Sequence, residues 1–125
     1  MPSFVVEESL NSVKVFWLDQ DNLIRTIQRL AVKVGTENKN VVKIVLFGSL
    51  AERRAVPGSD ADILIILEGD DRKFMDRIEE WVEKFQIDFP VEVFPYTLEE
   101  LEVPLVRGAL SKGIILYEKG TQSKS

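Results

Sequence analysis

The 125-residue chain contains no cysteine and no histidine. The first absence excludes disulfides, thiolate nucleophiles and sulfur-built zinc sites, and the second removes the usual zinc ligand and the usual general base at neutral pH. Any metal chemistry must run on oxygen ligands. No run of about 18 apolar residues is present, which argues against a membrane-spanning helix. Met1-Pro2-Ser3 opens no charged-then-apolar leader, so the expected location is cytoplasmic. An excess of positive charge is also missing: 16 Lys and Arg stand against 21 Asp and Glu, a net charge of -5. Broad, non-specific nucleic-acid binding needs many cations on phosphates, so a nucleotide is favoured as ligand over a polymer. Internal repeats and low-complexity tracts are absent, and only Lys119 to Ser125 has the composition of a frayed tail.

What is present suits one compact mixed α/β domain, with 45% hydrophobic and 30% charged residues. Phe4-Val5-Val6 and Val13 to Trp17 are β-prone, with Asn11-Ser12 as the turn between them. From a cap at Asp19 or Asp21, a helix carries Leu23, Ile27, Leu30, Ala31 and Val34 at helical spacing and is expected to stop near Gly35. Val41 to Phe47 and Ile63 to Leu67 read as buried strands. Gly69-Asp70-Asp71 is expected to start a second amphipathic helix with Phe74, Ile78, Trp81, Val82 and Phe85 on its inner side. Phe89 to Pro95 reads as a third strand, Thr97 to Glu100 as a capping box for a helix ending before Gly113, and Ile114 to Tyr117 as a last strand.

The chemistry concentrates between the two buried strands. The first delivers Phe47-Gly48-Ser49 and the second opens with Ser59-Asp60-Ala61-Asp62. Side chains at i and i+2 of a strand share a face, so Asp60 and Asp62 can converge on one or two divalent cations. Carboxylate oxygens suit Mg²⁺, which arrives with substrate phosphates in its remaining positions. Gly48 allows a tight turn and close backbone approach, and Ser49 to Ala55 reads as a short helix whose N-terminus would face a triphosphate. Val56-Pro57-Gly58-Ser59 then returns the chain to the carboxylates. The bland alternative is a loop with solvated acids.

Taken together, Phe47-Gly48-Ser49, Pro57-Gly58 and Ser59-Asp60-Ala61-Asp62-Ile63-Leu64-Ile65 resemble the nucleotidyltransferase superfamily that includes DNA polymerase beta. The small size resembles its minimal nucleotidyltransferase (MNT) group, many of whose members are antitoxins paired with HEPN-domain toxins. The resemblance covers roughly residues 20 to 117, and its specific part runs from Phe47 to Ile66. It implies an α/β nucleotidyltransferase fold, a short mixed β-sheet flanked by helices. It divides the chain into a β-prone extension at 1–18, a nucleotidyltransferase domain at 19–118 and a flexible tail at 119–125.

The activity implied is Mg²⁺-dependent transfer of AMP from ATP to a hydroxyl, with release of pyrophosphate. Asp60 and Asp62 would ligate both of two Mg²⁺ ions, and Gly48, Ser49, Ser59 and Arg54 would hold the nucleotide. Two-metal transfer needs a third carboxylate. Glu92, between Val91 and Val93 on the third strand, is the candidate, with Asp88 as the alternative; an exposed strand carboxylate is the bland reading. The family's pattern most often has Asp at the Glu92 position, and Arg then Gly where this chain has Glu52 and Arg53. Arg54 could serve phosphates, a partner or only the solvated surface. Ser49 could cap its helix as well as touch phosphate. Phe16, Trp17 and Trp81 could stack a base, but core or interface packing is favoured.

The acceptor most consistent with the resemblance is a tyrosine of a cognate HEPN toxin, which would make the chain the antitoxin of a type VII-like toxin-antitoxin pair within a homo- or hetero-oligomer. A catalytically inactive nucleotidyltransferase-fold binding module is the alternative. A small-molecule, antibiotic-modifying nucleotidyltransferase is third, since such enzymes usually add an acceptor-binding domain.

Overall fold

The computed structural model describes residues 4–120. The stretch from 121 to 125, most of the expected tail, and Met1-Pro2-Ser3 lie outside the described residues. The chain opens with an antiparallel hairpin, β1 (Val5–Leu10) and β2 (Val13–Leu18). Asn11 and Ser12 both take positive φ, 49° and 68°, the conformation a two-residue hairpin turn demands. Helix α1 (Gln20–Glu37) follows, and of its two candidate caps Asp19 is the one used: its Oδ1 accepts from the Asn22 N–H at 3.2 Å.

The expected stop near Gly35 is corrected, because α1 runs on to Glu37. A Cβ on Gly35 would lie 2.4 Å from the Tyr117 ring, so this glycine makes room for an aromatic side chain and does not end the helix. Strand β3 (Val41–Phe47) leads into α2 (Gly48–Ala51), a single turn in place of the longer helix expected from Ser49 to Ala55. Arg53 adopts a left-handed φ of 61°, which terminates the turn. Strand β4 (Ala61–Leu67) follows.

Helix α3 (Phe74–Val82) begins later than Gly69-Asp70-Asp71 suggests. The Asp70 side chain accepts from the Arg72 N–H at 3.0 Å, and Arg77 donates to the carbonyls of Asp70 and Arg72 at 2.9 and 3.1 Å. These bonds hold 69–73 as a turn. The same guanidinium reaches the Pro95 carbonyl at 3.2 Å and Glu100 at 2.8 Å, tying α3 to the end of β5 (Val91–Thr97). The capping box at Thr97 and Glu100 forms, but it caps one 3-10 turn, Leu98–Glu100. A separate helix, α4 (Pro104–Lys112), starts with proline in its first turn, and proline disfavours helical backbone in the residue before it. Strand β6 (Ile114–Glu118) closes the order.

The main sheet has four strands in the order β5-β4-β3-β6. β3 is antiparallel to both β4 and β6, and β4 pairs with β5 in parallel. β5 is therefore an edge strand, where Pro95 is tolerated. Alternation along β4 sends Ile63, Ile65 and Leu67 into the core beneath α1 and α3, and Leu64 and Ile66 against α4. Each such fully buried branched side chain contributes about 1.5–3 kcal/mol, so β4 anchors both layers. Among the described residues no helix is long and apolar enough to cross a membrane. Trp81 belongs to the core, whereas Phe16 and Trp17 are 45% and 41% exposed on the hairpin, so core packing holds for the first of these aromatics and not for the other two.

Candidate active site

The carboxylates sit where β3 ends and β4 and β5 begin. In register, Asp62 lies opposite Phe47 on the antiparallel side and opposite Glu92 on the parallel side. Asp62 shares its strand face with Leu64 and Ile66, and Glu92 shares its face with Phe94 and Tyr96, all on the α4 side of the sheet. The two acids are thus neighbours across adjacent strands, about 4.8 Å apart in backbone spacing. Asp60 precedes β4 and reaches the same region by its i, i+2 relation to Asp62. This cross-strand register was not legible in the sequence, since parallel pairing leaves no local signal. Asp88 lies outside β5 and has no place in that register.

Electrostatics mark Asp62. Burial, the Glu92 carboxylate and the Asp60 carboxylate, in that order, push its carboxyl up to about 6. Among the described residues none of the three acids has an ion pair or hydrogen-bond donor to offset this crowding. Gly48 packs against the same group: its φ is 79°, and a Cβ there would lie 2.4 Å from Asp62 Oδ2. Only glycine fits, so the turn that carries Ser49 is moulded onto the carboxylate.

The remaining expected contacts are placed differently. The Ser59 hydroxyl oxygen accepts from the Val56 N–H at 3.0 Å and closes the 56–59 turn. Arg54 is held by Glu52 at 3.2 Å and Arg53 by Asp21, so neither guanidinium is aimed at the carboxylates. Glu52 is exposed and points outward. Gln20, which no sequence pattern singles out, accepts from the Ala55 N–H at 3.2 Å and ties the start of α1 to this loop. A groove of about 410 Å³ lies beside the loop and away from the carboxylates, between Trp17, Gln20, Asp21 and Arg53.

The donor set is all oxygen, which fits a hard divalent cation. Among the described residues no three acidic side chains are gathered closely enough to hold an ion as they stand. The uncompensated charge on Asp62 and the glycine cradle beside it are what fit such an ion.

The family model described as polymerase beta nucleotidyltransferase matches residues 31–122. A crystal structure of a Sulfolobus solfataricus protein assigned as a nucleotidyltransferase is similar over 82% of this chain and 86% of that one, with a TM-score of 0.63 and 16% identity, a likeness of fold. Among curated proteins none matches.

Proposed function

Because the chain belongs to the polymerase beta nucleotidyltransferase family, we propose that it transfers AMP from ATP to a protein hydroxyl in a divalent-metal-dependent reaction. The acceptor oxygen bonds to the α-phosphorus, the bond to the bridging oxygen breaks, pyrophosphate leaves with the electron pair and the hydroxyl proton passes to water. The observation that carries this reading is the half-buried Asp62, crowded by Glu92 and Asp60 and cradled by Gly48. Asp60, Asp62 and Glu92 would hold Mg²⁺. When bound, the metal supplies neutralisation of phosphate charge and activation of the acceptor hydroxyl. Gly48 and Ser49 would approach the β and γ phosphates, the backbone closing on them because no side chain stands at 48. Preorganised charge then supplies most of the rate.

The acceptor we favour is a tyrosine of a cognate HEPN-domain protein, with the chain acting as an MNT-type antitoxin in a type VII-like pair. Asp60 and Glu92 are both exposed, so a side chain presented by another protein can reach them. A second reading, a binding module without catalysis, is favoured by one observation: Arg53 and Arg54 are both occupied by carboxylates of this chain, leaving neither poised for a triphosphate. Intact-mass spectrometry of the HEPN protein after incubation with this chain, ATP and Mg²⁺ separates the two. One or more added AMP masses on the HEPN protein are expected. A tight complex without an adduct supports the binding module, and rapid turnover with a small molecule alone contradicts both.

A further inference from the structure

The N-terminal hairpin is built as an arm. Every residue from Glu7 to Trp17 is exposed, and the hairpin forms its own two-stranded sheet, apart from the main one. A lone two-stranded hairpin is marginal in water. Yet this one carries Leu10, Val13, Val15, Phe16 and Trp17, five of the large apolar side chains left exposed in the described residues. Leu10, Val13, Val15 and Trp17 lie with Val6 and Glu8 on one face, because Val6 pairs with Trp17, Glu8 with Val15 and Leu10 with Val13.

We infer that the outer edge of β2 pairs with β2 of a second copy of the chain, antiparallel about a two-fold axis at Val15. The hydrogen-bond parity of the hairpin sets which groups are available. A two-residue turn makes Leu10 and Val13 a hydrogen-bonded pair, and the alternation carries on through 8/15 and 6/17 to 4/19. The Asp19 N–H donates to the Phe4 carbonyl at 2.8 Å, which confirms that phase. The backbone groups of Lys14 and Phe16 therefore point away from β1, and among the described residues no strand takes them up.

Charge selects this edge, and the middle of the exposed stretch selects the register. Centred on Val15, the middle of the exposed stretch Val13 to Trp17, pairing sets Val13 against Trp17 of the second copy, Val15 against Val15 and Lys14 against Phe16. No like charges meet, and Lys14 meets an aromatic ring. Self-pairing through β1 in the two registers nearest its centre would set Glu7 against Glu7 or Glu8 against Glu8, which is repulsive. A one-residue slip on β2 that sets Lys14 against Lys14 is disfavoured for the same reason. The product is a four-stranded antiparallel sheet, β1-β2-β2-β1, whose central pair of strands presents Val13, Val15 and Trp17 of both copies on one face, and it supplies the strands the arm lacks. The occupant of the β2 edge is thus a second copy, and this pairing does not depend on catalysis.

The chain has no cysteine, so a single introduced thiol reports the pairing directly. Val15 and its symmetry mate form a non-hydrogen-bonded pair, whose Cα separation of about 4.5 Å accommodates a disulfide. Val15→Cys is expected to oxidise to a covalent dimer of twice 14.3 kDa on a non-reducing gel. Glu8→Cys, one strand further from the axis, is expected to stay monomeric on the same gel. Sedimentation of the unmodified chain should give a dimer at concentrations up to about 100 μM, and Val15→Lys, which sets two ammonium groups face to face, a monomer that keeps the parent's folded circular dichroism spectrum. An unmodified chain that stays monomeric over that range, a strand edge reserved for some other protein, overturns the inference. So does a covalent dimer of the Glu8→Cys variant where Val15→Cys gives none, or a Val15→Lys variant that remains dimeric.

Discussion

Asp62 should be a residue the fold would be more stable without. Its carboxyl is raised from 3.8 to about 6, so the folded state binds that proton more tightly than the unfolded state does. The sign follows: below the unfolded value the shift costs nothing, and stability falls as pH rises from about 4 to about 6, with the full cost present above that. A shift of about two units corresponds to at most about 3 kcal/mol. Asp62 is half-buried and solvent screening reduces the cost, so about 1–1.5 kcal/mol is expected. Asp62→Asn keeps the shape and removes the charge. At about 4 °C per kcal/mol for a domain of this size, the variant should melt roughly 4–6 °C higher than the parent at pH 8 without metal, and the gain should shrink to about 1 °C near pH 4. Thermal unfolding followed by circular dichroism across that range reads it out. A variant as stable as the parent or less stable at pH 8, or a gain that does not decay with acid, would refute the claim that Asp62 is held in an unfavourable charge environment. Under the proposed function, such a cost at Asp62 is the usual trade of stability for activity.

The neighbouring residues give further outcomes. Glu92→Gln should leave calorimetric ATP binding in Mg²⁺ within about twofold while lowering AMP transfer by about 100-fold, and Glu92→Asp should retain transfer; a fully active Glu92→Gln would move the third ligand elsewhere. Gly48→Ala places a methyl against Asp62 Oδ2 at a φ of 79° and should cost about 2–3 kcal/mol in urea unfolding; a cost under about 0.5 kcal/mol would show that the turn can move away. Arg77→Ala leaves three backbone carbonyls and Glu100 without their buried donor and should cost about 3 kcal/mol, measured the same way, with a loss below about 1 kcal/mol counting against its role as the tie between α3 and β5.

Local signals in the chain carried far. The apolar runs at β3 and β4, the period of α1, the turn at Asn11-Ser12 and the four residues Gly48, Ser49, Asp60 and Asp62 are all placed by spacing, because strand alternation and turn chemistry act over a few residues. What differed depended on contacts made only in the folded chain. Gly35 looks like a helix stop until the Tyr117 ring is seen against it. Gly69-Asp70-Asp71 looks like a helix start until Arg77 reaches back to claim its carbonyls. Thr97 and Glu100 do form a capping box, but Pro104 restarts the chain before a long helix can grow. Arg54 could serve phosphates, a partner or the solvated surface by its position alone, and the folded loop puts it on Glu52. Glu92 could be singled out by its place in a strand, but its pairing with Asp62 is set by parallel register, which depends on residues far apart in the chain.

In the proposed function Asp60, Asp62 and Glu92 form a cation site completed by a nucleotide. Titration calorimetry of ATP into the chain, with and without Mg²⁺, tests it most directly. An affinity about tenfold or more higher with Mg²⁺ is expected, with loss of that difference in the Asp60→Asn, Asp62→Asn double variant. Equal affinity with and without the metal, or a Mg²⁺ effect that survives both substitutions, would contradict it.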